Sequence, residues 1–492
     1  MPVNSTHADY EAAAPGWSRA RDVLAGEDAV KARGEKYLAR LDAQTDEEFA
    51  AYGKRASFFN ATARTAEAYL GLIFRRPPFL KLPSESTGVG RALAEFQNDA
   101  DMLGTSLSGY AKVVVGDVVG LGRAGSLVDW EAEAERRAYA VFYPAERIMN
   151  WRMGRVRGRN VLTLLVLSEK AETGTQEAES DEFEPEVVEQ LRVLRLVVGD
   201  DGDAFCRVDL WQEQAVEGEK GKTEWVVVDS RVPRRLGKPL PLIPFVFHGP
   251  RHSRADVDRG PLEDIIAVNL DHYRLDADFK HGLHFTALPT AWVSGFDKAA
   301  SLRIGSSSAW VSETPGATAG FLEFTGQGLT TFERAMDRDE RLMAVLGSRM
   351  LEDVKKVGET ATAIELRQSG EYSILGNVAA SVSESLTQLL RWVYWWNSTE
   401  ELPDDVTSEQ VLVTLNSDFS TKGLASQDVQ AIVAAWQAGA ISQDTMHELF
   451  RRGEVLPEGR TNPEEAALIK AGERDRPAVK ALALAQGAAG KN

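Results

Sequence analysis

The spacing of apolar side chains predicts helices at the start of the chain. Between residues 51 and 80, apolar positions recur at steps of three and four, which is typical of an amphipathic helix. Pro77-Pro78 should end this helix, because proline disfavours helical geometry in the residue before it. A further helix is expected from Arg91 to about Val119.

The middle of the chain predicts strands instead. Short runs rich in Val, Leu and aromatic residues alternate with turn-forming or charged stretches, and their close spacing favours an antiparallel sheet or sandwich. The runs are 124–130, 138–144, 160–169, 191–198, 205–212 and 223–230. The connector 169–190 is strongly acidic. A solvated loop is the expected interpretation, and a docking surface for a basic partner is the alternative.

From Gly260 the pattern changes to long helices around a short insertion. Gly260-Pro261 is a typical helix start, and apolar positions continue to about Leu283. Residues 296–328 are short, Gly/Ser/Thr-rich and strand-like, and Thr330 and Glu333 have capping-box spacing for a helix that runs to about Leu346.

A polar break follows at 347–362, then a long helix from Ala361 to Trp396, and further helices close the chain. Two helices around a compact insertion predict a rod with a tip, and the break predicts a loop between two helices. An ordinary α+β domain fits the periodicity equally well.

The composition of the chain disfavours several classes of function. Lys and Arg number 56 against 74 Asp and Glu, which gives a formal net charge of −18. A protein that grips nucleic acid over a broad surface should be basic, so that class is disfavoured. The single cysteine, Cys206, excludes an intrachain disulfide framework and a Cys-based zinc site. No signal-peptide pattern and no apolar stretch long enough for a membrane span is present, so no membrane partner is expected.

Candidate chemistry is sparse. Gly120 to Gly125 match GxGxxG, but the next residues predict a strand rather than the helix a dinucleotide site needs. The histidine pair His248 and His252 has the spacing of a helical metal pair but is split by Gly249-Pro250. A second group, His272, His281 and His284 with Asp276, could hold a metal, and a polar or interface role is the favoured alternative. We therefore predict no enzyme: no catalytic residue, no cofactor and no metal.

Three stretches resemble the portal proteins of tailed bacteriophages, the head-to-tail connector family. Residues 54–78 are similar to the signature RAxFYNATxRTVxGLxGxxFRKPP, with Phe59 for Tyr and Arg76 for Lys. Residues 261–295 resemble the same family's helix and LHFTALPT entry to a strand, and 358–390 its ETAT helix. The segment from Trp436 to Thr445 resembles the helical module that closes many portals.

The resemblance implies an α+β portal fold. It would consist of a wing with N-terminal helices and a β-rich region (1–260), two stem helices (261–285 and 329–347), a strand-containing clip (286–328), a channel or tunnel loop (348–360), a long wing helix (361–400), a helical crown (405–470) and a flexible tail (471–492).

The resemblance also implies a function: a ring of about twelve copies at one capsid vertex of the virion, assembled in the host cytoplasm, through which double-stranded DNA is packaged and ejected. Implied partners are the terminase large subunit, a head–tail adaptor, the major capsid protein and scaffold. The implied site residues are the channel-loop candidates Arg349, Lys355 and Lys356, which would face DNA, and the clip candidates Arg303, Trp310 and Glu313, which would dock partners. Another phage connector, a tail adaptor or a baseplate ring protein is the alternative.

Overall fold

The computed structural model describes most of the chain, in two compact units, 1–417 and 418–492. The described residues are 2–132, 135–156, 158–173, 186–199, 203–216, 222–286, 290–296, 310–322, 328–348, 361–417, 419, 426–452, 455–456 and 462–471. Helices and sheets both contribute to the first unit, so the fold class is α+β as predicted.

Six helices come first. They are α1 (Ala8–Ala25), α2 (Glu27–Ala32), α3 (Asp46–Arg55), α4 (Ala61–Ile73), α5 (Gly88–Asn98) and α6 (Leu107–Leu121). Side chains cap most of them. Thr45 and Glu48 form a capping box at α3, and Asn60 caps α4 by accepting from the backbone N–H of Ala63. The helix predicted over 51–80 is therefore two helices, with Asn60 at the break.

The predicted strand region forms two antiparallel sheets. Three strands, in the order β11-β2-β3, comprise β2 (Ala124–Trp130), β3 (Ala138–Pro144) and β11 (Phe245–His248). Five form a meander: β4 (Ile148–Val156), β5 (Arg159–Thr173), β6 (Glu186–Val198), β7 (Ala204–Ala215) and β8 (Thr223–Arg231). All six predicted runs are strands. The sequence missed β4 and β11, and also the two-residue pair β9 (Arg234–Arg235) and β10 (Lys238–Pro239).

The expectation of a loop over 169–190 is wrong at both ends of that stretch, where the chain forms β-strand. Residues 169–173 pair with 186–190 as the continuation of β5 and β6. Glu169 is largely buried and accepts hydrogen bonds from Tyr143, Gln190 and Arg192, and these contacts hold its pKa low despite burial. Its charge is therefore neutralised inside the sheet by Arg192. Residues 174–185 lie outside the described residues.

The remaining elements of the first unit are two helices around a small hairpin, then a long helix. They are α7 (Glu263–Thr286), β12 (Thr290–Ser294), β13 (Thr318–Leu322), α8 (Leu329–Met343) with a π-helical turn (Ala344–Ser348), and α9 (Ala361–Asn397). Strand β14 (Leu412–Thr414) pairs with β1 (Phe79–Lys81). The predicted capping box at Thr330 is wrong, because α8 begins at Leu329 with Gly328 as its N-cap.

Helix α9 lies in the core between β11 and β14. Side-chain hydroxyls of α9 form hydrogen bonds with the backbone at both places. Ser381 donates to the carbonyl of Gly249 beside β11, and Thr387 exchanges hydrogen bonds with the backbone of Val413 in β14. The tryptophan cluster at its C-terminal end is buried, as expected, with Trp396 stacked on Trp130 at 5.7 Å between ring centroids.

The second unit contains α10 (Ser426–Gln437), α11 (Gln443–Arg452) and a helical segment at 462–471. Ser442 caps α11, as its sequence predicts. Residues 405–417, including β14, belong to the first unit, so the predicted crown boundary at 405 falls inside that unit.

Candidate functional site

Helix α7 is held to the body of the first unit by a buried amide. Asn269 is fully buried and accepts hydrogen bonds from the backbone N–H (3.2 Å) and hydroxyl (2.8 Å) of Thr62. Its Nδ2 donates to the carbonyl of Phe59 at 2.7 Å. These bonds join two stretches that are two hundred residues apart in sequence and that separately resemble the portal signature.

Further contacts continue along the same helix. Asp276 accepts from the backbone N–H of Ser57 at 2.6 Å, and the hydroxyl of Tyr52 donates to Asp278. Burial and this hydrogen bond raise the pKa of Tyr52. Arg55 lies 3.0 Å from Nδ1 of His281, and burial and then the guanidinium lower the pKa of that histidine. Helix α7 is therefore anchored along several turns.

Helix α8 packs antiparallel on α7. His272 is buried, and its Nε2 lies 3.5 Å from a carboxylate oxygen of Glu340. Asp339 is buried at the same interface, and burial raises its pKa. A Cβ at Gly282 would lie 2.7 Å from Leu329 of α8, and one at Gly347 would lie 2.9 Å from Ile265 of α7 and 2.5 Å from Thr65 of α4. Glycine at these positions lets both ends of the pair approach closely.

The hairpin β12–β13 lies between the two helices in sequence. Trp292 pairs in register with Gly320. A Cβ at Gly320 would lie 3.0 Å from the indole nitrogen of Trp292, so the indole packs closely over this glycine. Trp310 lies 6.2 Å from Phe321, measured between ring centroids, and Glu313 is exposed. The structure thus places Trp310 and Glu313 beside the hairpin. Arg303 lies outside the described residues.

The channel-loop candidates fall in a range that the structure does not describe. Arg349, Lys355 and Lys356 all lie outside the described residues. One described range ends at Ser348, the last residue of the π-helical turn, and the next begins at Ala361, the first residue of α9. Their proposed role in facing DNA stays a prediction.

The glycine-rich segment 120–125 connects a helix to a strand, the reverse of the strand-to-helix order in a dinucleotide site. Helix α6 ends at Leu121, Gly122 caps it with φ of 80°, and β2 begins at Ala124. A cavity of about 620 Å³ adjoins Gly120, and its lining carries Arg19 and Arg259, which both pair with Glu263, together with Asp9, Asp256 and Asp258. Four carboxylates against two guanidinium groups make the lining acidic, which does not favour the phosphates of a dinucleotide.

The candidate metal ligands are not brought together. His248 lies on β11, inside the core, and His252 lies on the following loop. His272 contacts α8, whereas His281 contacts α3 and Asp276 binds Ser57. Across the part of the chain that the structure describes, no group of three or more His, Cys, Asp or Glu side chains is arranged to hold a metal ion. No described helix has both the length and the apolar character needed to cross a membrane.

Sequence analysis missed a buried hydrogen-bonded chain. Nε2 of His248 lies 2.7 Å from the hydroxyl of Ser126, and Nδ1 lies 2.7 Å from that of Ser385. The hydroxyl of Tyr110 lies 2.6 Å from Ser126. Burial lowers the pKa of His248 to about 3, so the ring is neutral. The members come from four distant elements, and no local pattern signals the cluster.

Comparison with known proteins gives one family model and a set of solved structures. The family model "Domain of unknown function (DUF4055)" matches residues 261–397, which span α7, the hairpin, α8 and α9. No curated protein matches the sequence. A solved structure described as "Virion of native gene transfer agent (GTA) particle" is similar at 12% identity and a TM-score of 0.41, covering 87% of this chain and 98% of that one.

A second, "Neck of native GTA particle computed with C12 symmetry", is similar at 10% identity and a TM-score of 0.36, covering 86% and 98%. Identities and TM-scores this low do not by themselves establish a shared fold or function.

Proposed function

We propose that this chain is a portal subunit: a ring of about twelve copies at one capsid vertex, through which double-stranded DNA is packaged and ejected. The observation that carries the proposal is the antiparallel pair α7–α8, which brackets the hairpin β12–β13 and is anchored by Asn269 to the stretch around Phe59 and Thr62. Two of the stretches that resemble portal sequences, 54–78 and 261–295, are thus in contact, as one portal fold would require.

The dimensions suit a stem. Helix α7 has 24 residues, which corresponds to about 36 Å at 1.5 Å per residue. A stem of this length would line a channel over about one helical turn of double-stranded DNA, which is roughly 34–36 Å.

Exposed apolar side chains on the helix pair support assembly. Leu283 and Phe285 are exposed at one end of the pair, and Leu342, Val345 and Leu346 at the other. A group of exposed apolar residues on one structural unit is typical of an interface. In a closed ring each copy presents two different faces to its neighbours, so such surfaces are covered in the assembly.

The acidic composition fits a channel through which DNA moves. Each phosphate held by a lysine or arginine slows movement, whereas a weakly attractive or repulsive wall lets the duplex slide. A net charge of −18 therefore argues against tight binding and is compatible with passage. In this proposal Arg349, Lys355 and Lys356 contribute the few cations that face DNA.

The remaining partners follow from the same proposal. The hairpin with Trp310 and Glu313, together with Arg303, would dock the terminase large subunit during packaging and a head–tail adaptor afterwards. The major capsid protein and scaffold would surround the ring. The chain would act in the virion after assembly in the host cytoplasm, and it would catalyse no reaction.

Electron microscopy of the purified full-length chain tests the proposal. We expect rings with a central hole and a countable rotational symmetry of about twelve. A chain that remains monomeric over a wide range of protein concentrations contradicts the proposal. A ring that is dispensable for packaging but required for tail attachment indicates an adaptor or baseplate protein instead.

A deletion tests the channel-loop assignment separately. Removing residues 350–358 should leave rings intact and impair DNA packaging or retention. The matched control is a deletion of 174–182 in the β5–β6 connector, which should leave both unchanged. Normal packaging by the 350–358 deletion contradicts the assignment.

A further inference from the structure

The hairpin β12–β13 carries an exposed aromatic side chain on each of its two faces. Trp292 and Phe321 are 46% and 54% exposed. Phe321 pairs in register with Ala291, the residue before Trp292. Because paired residues share a face and successive residues alternate, Trp292 lies on one face of the hairpin and Phe321 on the other.

The two faces differ in shape. On the Phe321 face, the ring of Trp310 lies 6.2 Å from that of Phe321, measured between centroids. On the Trp292 face, the partner in register is Gly320, which has no side chain that could cover the indole. The hairpin therefore presents two different apolar surfaces on opposite sides.

A single copy leaves this hairpin incomplete. Within the described residues it has two strands and no third, and no other described helix or strand packs on it extensively. A two-stranded hairpin by itself is at best marginally stable in water and gains stability from a further hydrophobic surface. We therefore expect both faces to be covered in the assembled protein.

The composition of the hairpin indicates what kind of surface covers it. In residues 290–296 and 310–322 the only charged side chain is Glu313, although 26% of the whole chain is charged. The centres of protein–protein interfaces are depleted of charged residues and enriched in Trp and Phe. Nucleic acid would instead require cations to face its phosphates. The expected partner is therefore an apolar protein surface.

A neighbouring copy of the chain supplies such a surface on both sides. A partner that docks on one side covers one face, whereas each copy in a closed ring meets two neighbours through two different surfaces. The Trp292 face and the Phe321 face are two such surfaces. Aromatic side chains also attract one another in offset-stacked and edge-to-face arrangements.

We propose, on the basis of the ring proposed above, that the Trp292 face of one subunit packs against the Phe321 face of the next. Repeated around the ring, this contact gives every hairpin the two apolar neighbours that it lacks in a single copy. Trp292 is the expected centre of the contact, because Trp is enriched among the few residues that carry most of the energy of an interface.

Engineered cysteines test which faces meet in the full-length chain. Ser294 lies on the Trp292 face and Ala319 on the Phe321 face, and both are exposed. The natural cysteine, Cys206, is buried. Sheets that pack face to face lie about 10 Å apart, so a short bismaleimide can join cysteines across the contact.

The cross-linked products separate unlike from like faces. Rings co-assembled from the single variants Ser294→Cys and Ala319→Cys should give covalent dimers on a denaturing gel. Rings of either variant alone should give none, because each face meets a different one. Dimers in a single-variant ring overturn the proposal, since they show that like faces meet. Co-assembled rings without dimers also overturn it and leave the portal proposal standing.

A matched pair of substitutions tests the role of Trp292. Trp292→Ala should lower the fraction of subunits in rings at least about tenfold, measured by mass photometry. Trp292→Phe keeps an aromatic ring on the same face and should retain most rings, and circular dichroism confirms that both variants are folded. Equal ring fractions in Trp292→Ala and the wild type overturn the proposed contact, whereas a wild-type chain that forms no rings overturns both proposals.

Discussion

The amide of Asn269 should contribute a large share of the stability that holds α7 in place. Asn269→Ala removes the acceptor of two hydrogen bonds from Thr62 and the donor of one hydrogen bond to the carbonyl of Phe59. Both Asn269 and Thr62 are fully buried. The carbonyl of Phe59 keeps a second donor, the backbone N–H of Ala61, so the main losses are the N–H and hydroxyl of Thr62.

A buried group left without its partner costs about 1–3 kcal/mol, so the expected loss in the free energy of unfolding is about 3 kcal/mol. Urea titration followed by tryptophan fluorescence measures it. Ten of the eleven tryptophans lie in residues 1–417, so the signal reports on the first unit.

Two controls separate the hydrogen bonds from other effects. Thr62→Val removes only the hydroxyl and should cost about 1 kcal/mol, because the backbone N–H keeps its bond to Asn269. Asn98→Ala makes the same substitution at an exposed position and should change stability by less than about 0.5 kcal/mol. A loss below about 1 kcal/mol in Asn269→Ala would refute the reasoning, because it would mean that Thr62 finds other partners.

Three further outcomes are expected. Gly347→Val should destabilise the first unit by about 1–3 kcal/mol, because a Cβ would lie 2.5 Å from the Thr65 side chain; an unchanged melting temperature contradicts the close packing. His248 has its folded pKa lowered from 6.5 to about 3, so its contribution to stability is complete above about pH 6.5 and is lost as the pH falls towards 3; the variant His248→Gln should lack that part of the pH dependence. Gly122→Ala should lower the melting temperature, because its φ of 80° and the carbonyl of Asp258, 2.7 Å from where a Cβ would lie, both oppose a side chain; tight nicotinamide or flavin binding that this substitution abolishes would instead indicate a dinucleotide site at Gly120 to Gly125.

Local patterns predicted the elements but not how they meet. The six strand runs are predictable because short stretches rich in Val, Leu and aromatic residues, separated by turn-forming or charged stretches, favour strands. Strand β11, Phe245–His248, was missed because four residues buried on all sides carry no alternation to detect. The acidic stretch beginning at Glu169 favours a loop by its sequence alone, because only the folded sheet supplies Arg192 to neutralise Glu169.

The sequence by itself indicated where helices and most of the strands lie, since these depend on neighbours a few residues apart. It did not show that 51–80 and 91–119 each contain two helices. It also carried the resemblance to portal proteins in separate stretches. Only the tertiary structure decided that these stretches form one unit, because the bonds of Asn269 join α7 to residues two hundred positions away. It also decided that α8 packs antiparallel on α7, with His272 beside Glu340. Such relations depend on how two helices pack, and packing depends on side chains that are distant in sequence.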